Sequence, residues 1–243
     1  MSITIFTSHK FSIDECPPNL KQNLEKWRLL NSTYNFKYYD DRSMNLWMET
    51  NTDKRTYKLY NKLNSGAGQA DLFRVCHLYK NGGIWVDADL PAFNIEDMSP
   101  NFQNLLIENR AVIVRNRKCN NPRYTFMAST KDNLLFLRLN DFINEQIEMA
   151  LKTQSKLSTI HITGPFTLHK LLCLITGLRD ITHLGIDEPY QINGSFFIYI
   201  DDIVPEKSTY EEENVYKGYK EDLKFMGITP HDILQGVKRG SNL

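Results

Sequence analysis

The sequence predicts an α/β fold, one mixed sheet flanked by helices, and three features predict it. A β-rich run at the start is followed by a helical pattern and then by a second alternating run. In mid-chain a helix-period segment ends in paired glycines and passes into a short apolar run closed by acids. The remaining chain again mixes strand patterns with amphipathic helices. At 243 residues, 41% of them hydrophobic, the chain is long enough to bury a substantial core, and no composition shift marks a boundary within 1–243.

In the first strand Ile3, Ile5 and Thr7 alternate with Thr4 and Phe6. Pro17-Pro18-Asn19 opens a helix with Leu20, Leu24 and Trp27 on one face, and Trp27 is expected in the core. Tyr34, Phe36 and Tyr38 alternate in a second strand that ends at Asp40-Asp41, read as a turn or helix cap. Ser43 is expected to cap a short helix carrying Met44, Trp47 and Met48. A further helix over about 53–63 turns Tyr57, Tyr60 and Leu63 inward. Asn64-Ser65-Gly66-Ala67-Gly68 follows as a flexible connector; it lacks the Lys-Ser/Thr of a Walker loop.

The next helix places Leu72, Cys76 and Tyr79 on one face, with Asp71 and Arg74 three apart on another. Asn81-Gly82-Gly83 supplies the left-handed residues that stop it. Ile84-Trp85-Val86 then reads as a short buried strand. Asp87 and Asp89 lie two apart at its end, where α/β sheets bind ligands. Two carboxylates at one spot repel unless a cation sits between them. Hard oxygen donors favour Mg²⁺ or Mn²⁺, ions that commonly hold a diphosphate as well. The plain alternative is two solvated acids closing a strand, with Asp71 and Arg74 as a helix-surface ion pair.

After Pro91, residues 94–110 read as loop and hairpin, and Ala111-Val112-Ile113-Val114 as a buried strand. Tyr124, Phe126 and Ala128 alternate in another strand, followed by an amphipathic helix over about 133–151. Thr163-Gly164-Pro165 is a turn leading into a helix with Leu168, Leu171, Leu172 and Ile175. A late strand over 195–200 ends in Asp201-Asp202 and gives way to a charged, Tyr-rich stretch.

The block Ala70-Asp71-x-x-Arg74, then Leu78-Tyr79-Lys80-x-Gly82-Gly83-Ile84-Trp85-x-Asp87-x-Asp89, resembles the signature of DXD-containing sugar transferases. These are related to yeast initiation mannosyltransferases and to the catalytic domains of large clostridial glucosylating toxins. The resemblance implies a GT-A fold with a single Rossmann-like mixed sheet, its nucleotide-sugar half at about 1–115 and its acceptor half at about 116–243. It implies transfer of a hexose, with retention, from a nucleoside-diphosphate sugar, UDP-linked in preference to GDP-linked. The cofactor is Mn²⁺ or Mg²⁺, and the acceptor is a carbohydrate, lipid or protein. By motif position Asp89 takes the metal, and Asp87 reaches the donor ribose or sugar and the metal through water. Asp71 and Arg74 take donor-sugar hydroxyls. Trp85, Phe6 and Thr7, with Ser8 beside them, are nucleotide-sugar contacts, and His231 is a third metal ligand. Thr163-Gly164-Pro165 either lines the acceptor side or simply caps its helix.

No glutamate stands out as a general base, which front-face retention tolerates. One rival is a haloacid-dehalogenase-type phosphatase, but Pro91 stands where that family wants Thr or Val. The other is a non-catalytic sugar-nucleotide-binding or structural module, against which the intact Asp71, Arg74, Asp87 and Asp89 argue.

Lys+Arg and Asp+Glu both number 29, so no basic excess argues for nucleic acid. Cys16, Cys76, Cys119 and Cys173 show no metal-binding spacing and are expected as reduced thiols. With no secretory leader or membrane span apparent, the expectation is a soluble cytoplasmic enzyme or a catalytic module of something longer.

Overall fold

The computed structural model describes residues 3–201, apart from 100, 101, 108, 117–120, 154–157 and 186. The strands are β1 (Thr4–Ser8), β2 (Asn35–Tyr39), β3 (Gly83–Val86), β4 (Arg110–Arg115), β5 (Pro122–Ser129), β6 (Pro189–Ile192) and β7 (Ser195–Ile200). The helices are α1 (Pro18–Leu30), α2 (Asp41–Asn51), α3 (Lys54–Tyr60), α4 (Gly66–Asn81), α5 (Ile95–Met98), α6 (Phe102–Leu105), α7 (Leu134–Thr153), α8 (Thr159–Ile162) and α9 (Pro165–Thr176).

All seven strands share one sheet, in the order β2-β1-β3-β5-β4-β7-β6. β2, β1 and β3 run parallel, β5 is antiparallel to both β3 and β4, and β7 runs parallel to β4. The C-terminal ends of β1, β2, β3, β4 and β7 therefore lie along one edge, together with the start of β5. Alternation along the strands divides the core. Ile5, Ile84 and Val86 pack with Trp27 of α1, Ile95 of α5 and Phe102 of α6. Phe6, Trp85, Ile113 and Met127 pack against α2, α3, α4, α7 and α9.

Four local expectations are corrected. The connector at 64–68 is the start of α4: Ser65 is its N-cap, and the hydroxyl accepts from the Gly68 amide at 3.1 Å. Gly68 is a contact rather than a hinge, because a Cβ there would meet Thr159 Cγ2 of α8 at 3.3 Å. α2 is capped by Asp40, which accepts from the Ser43 amide at 2.7 Å, so Ser43 lies inside the first turn. Among the described residues of 94–110, the two short helices α5 and α6 stand in place of the expected hairpin. Finally, α4 is buried on every side from Asp71 to Leu78, since it runs between the sheet and α7.

The turn from α4 into β3 depends on its glycine pair. Gly82 and Gly83 have φ of +68° and +107°, and a Cβ on Gly83 would lie 2.5 Å from the Thr4 carbonyl oxygen. Gly83→Ala is expected to lower stability by about 1–3 kcal/mol, roughly 3–10 °C in Tm. An unchanged melting temperature would show that β1 yields freely at this crossing.

Candidate active site

One guanidinium organises the end of β3. Arg74 reaches from α4 across the sheet edge, and its Nη2 pairs with Asp71 Oδ1 at 2.9 Å. Its Nη1 pairs with Asp87 Oδ1 at 3.2 Å and donates to the Tyr124 carbonyl of β5 at 2.6 Å. The guanidinium carbon sits 4.4 Å from the Trp85 ring centroid and 5.2 Å from that of Tyr124. Trp85 Nε1 donates to the same Asp87 oxygen at 2.8 Å, and the Asp87 amide donates to the Thr125 carbonyl at 2.9 Å. Asp71 turns its second oxygen to Thr163, whose hydroxyl donates to Oδ2 at 2.9 Å.

The side chains of Arg74, Asp71 and Asp87 are 6%, 11% and 24% exposed. The Asp71–Arg74 pair is thus not the solvated helix-surface pair that spacing alone allows. It is a buried network drawn from α4, β3, β5 and the α8–α9 turn. Two carboxylates share one guanidinium, and Asp89 lies half-buried two residues on. Two carboxylates against one guanidinium, in a shielded place, favour an added cation. Among the described residues both side-chain contacts of Asp87 fall on Oδ1, which leaves Oδ2 for a ligand. Among the described residues no group of three or more His, Cys, Asp or Glu side chains gathers as a metal site.

Burial pushes the Asp71 carboxyl up to about 6, against the pull of Arg74 and Thr163 and with a small push from Asp87. A folded value above the unfolded one means that stability from this group is fullest below the unfolded carboxylate range. It declines as pH rises through about 6. The melting temperature of wild type relative to Asp71→Asn is therefore expected to fall between pH 5 and pH 7.5. A difference that stays constant across this range would contradict the assignment.

At the end of β1, Thr7 and Ser8 are buried, and among the described residues neither hydroxyl finds a hydrogen-bond partner. They lie on the same sheet edge as Asp87. Phe6, expected as a nucleotide contact, is fully buried instead. Its ring stacks on His77 at 3.8 Å and meets Trp85 edge-on at 5.4 Å, so it supports the site from within the core. His231 lies outside the described residues. Thr163 does more than cap a helix: it ties the α8–α9 turn to Asp71.

Two residues escaped the sequence reading. Tyr124 contributes its carbonyl and ring to Arg74, and its buried hydroxyl has no partner among the described residues. Asn23 of α1 holds the loop that carries Asp89. The only sequence signal for Asn23 was a polar residue beside Leu24 and four positions before Trp27, on an apolar helix face.

Residues 17–112 match the family model described as the glycosyltransferase sugar-binding region containing a DXD motif. That stretch contains Asp71, Arg74, Asp87 and Asp89. In three dimensions the chain is similar to a PaToxG glycosyltransferase, with a TM-score of 0.50 and 14% identity. The alignment covers 95% of this chain and 79% of that one. No curated protein matches the chain in sequence. The seven-stranded mixed sheet flanked by helices is a GT-A-type α/β fold. Among the described residues no helix is long and apolar enough to cross a membrane.

Proposed function

We propose that this glycosyltransferase moves a hexose from a nucleoside-diphosphate sugar to a carbohydrate, lipid or protein acceptor, with retention and with Mn²⁺ or Mg²⁺. UDP is the favoured nucleotide and GDP the second. The observation that carries the reading is the buried Asp71–Arg74–Asp87 network at the carboxyl end of β3, set beside Asp89.

The donor set fits a hard divalent cation. Asp89 and Oδ2 of Asp87 would hold it, with diphosphate oxygens and water completing the shell, the usual manner of Mg²⁺. When bound, such an ion neutralises charge on the departing nucleoside diphosphate. Arg74 is held by Asp71, Asp87, the Tyr124 carbonyl and two aromatic rings, so its charge needs no reorganisation to face a phosphate or sugar hydroxyl. Asp71 accepts a sugar hydroxyl, and Thr163 keeps its carboxylate turned to do so. Trp85, expected as a nucleotide contact, is 1% exposed and acts from the core by orienting Asp87, while the buried hydroxyls of Thr7 and Ser8 at the end of β1 are the candidate partners on the nucleotide side. On the front face the leaving phosphate takes the acceptor proton, so no further carboxylate is needed. Cys16, Cys76 and Cys173 are free thiols, which suits a reducing, cytoplasmic setting.

A panel of sugar nucleotides tested by thermal shift with Mn²⁺ decides the donor. The true donor at about 100 times its Kd adds about 2.7 kcal/mol of stability, roughly 5–10 °C in Tm. A panel of UDP- and GDP-sugars that leaves Tm unmoved would contradict the reading.

A further inference from the structure

We propose that Asn23 is a positioning residue for Asp89, acting through the backbone on either side of it; this rests on the metal reading of the same site. The loop from Ala88 to Ile95 leaves β3 with no strand to pair with, yet its buried polar groups must be satisfied. They find partners on one stripe of α1 and its C-cap, at positions i, i+4 and i+8. Asn23 Nδ2 donates to the Ala88 carbonyl at 2.9 Å and to the Leu90 carbonyl at 2.7 Å, and its Oδ1 accepts from the Ala92 amide at 2.9 Å. Trp27 Nε1 donates to the Leu90 carbonyl at 2.9 Å. Asn31 Nδ2 donates to the Phe93 carbonyl at 2.9 Å, and its Oδ1 accepts from the Ile95 amide at 3.0 Å. Asn23 and Asn31 are 2% and 3% exposed, so water cannot take their place.

The two carbonyls that Asn23 grips are those immediately before and after Asp89. Ala88 is buried in the same place, clustered with Cys16, Leu20 and Leu24. Asp87 is held differently, by Trp85, Arg74 and the Thr125 carbonyl. Asp87 is thus held by the sheet and α4, and the backbone on either side of Asp89 by α1. Their mutual placement is set by how α1 seats against the end of β3. Groups that orient a metal-binding carboxylate from behind typically change metal affinity by about 10–100-fold when removed.

The ladder contains its own control. Asn31 makes the same kinds of bond as Asn23, at similar burial, but to Phe93 and Ile95, beyond Asp89. Asn23→Leu and Asn31→Leu both remove a buried amide, and both are expected to lower Tm. Mn²⁺ binding is then titrated by electron paramagnetic resonance of the free ion, with and without UDP, at a temperature where circular dichroism shows each variant folded. Asn23→Leu is expected to weaken Mn²⁺ binding at least about tenfold, and Asn31→Leu to leave it at the wild-type value. Asn23→Asp serves if the leucine variant does not fold. It retains the acceptor for the Ala92 amide but offers no N–H to the Ala88 and Leu90 carbonyls, and the same loss is expected. Equal Mn²⁺ affinity in the Asn23 and Asn31 variants would overturn the inference and leave the metal reading standing. A wild-type protein that binds no Mn²⁺ would overturn both.

Discussion

Arg74→Ala is expected to destabilise the protein by about 3–5 kcal/mol, lowering Tm by roughly 10 °C or more. The substitution strips the cation from two carboxylates that stay shielded, Asp71 and Asp87. It also leaves the Tyr124 carbonyl without its donor and removes the plate between two rings. Breaking a buried pair from one side costs far more than deleting an exposed one, because the remaining charge has nowhere to go. Arg74→Lys keeps the charge but cannot fork between the two aspartates, so it is expected to fall between wild type and alanine. Thermal denaturation of the three proteins at pH 7.5 checks this. A loss under about 1 kcal/mol for the alanine variant is the size of an exposed pair, and would mean that water already solvates the cluster.

Asp89→Ala has the opposite profile: little stability lost, most activity lost. The side chain is half-buried in the loop that follows β3, so alanine leaves no core cavity. Its proposed work is to hold a cation against the diphosphate, and a metal Lewis acid contributes several kcal/mol to such a step. Release of nucleoside diphosphate from the donor, with Mn²⁺ present, is expected to drop by at least about 100-fold, which corresponds to about 2.7 kcal/mol of transition-state stabilisation. Rates equal to wild type would remove Asp89 from the metal role.

The central block was legible because its signals are local. A helix stop at Gly82-Gly83, three apolar residues and two acids specify strand and strand end within eight positions. The apolar faces of α1 and α7 were also readable, since their periods are long enough to count. Four-residue helices such as α5 and α6 carry no period, so they read as loop. The burial of the Asp71–Arg74 pair was not legible at all. Spacing shows that the two can touch, but not that Tyr124 and Thr163, 50 and 92 residues downstream of their partners Arg74 and Asp71, close over them. Asn23 was invisible for the same reason, as its partners are 65 to 69 residues away. Phe6 was misread because alternation gives the face of a strand, not its depth, and this face meets α4.

The most direct test of the account is the metal dependence of donor binding. Calorimetric titration of UDP, and of GDP, into wild-type protein is run with Mn²⁺ and again with the metal chelated. Binding by one nucleotide that requires Mn²⁺ and is lost in Asp89→Ala is the predicted result; equal affinity with and without the ion, or in the variant, would contradict it.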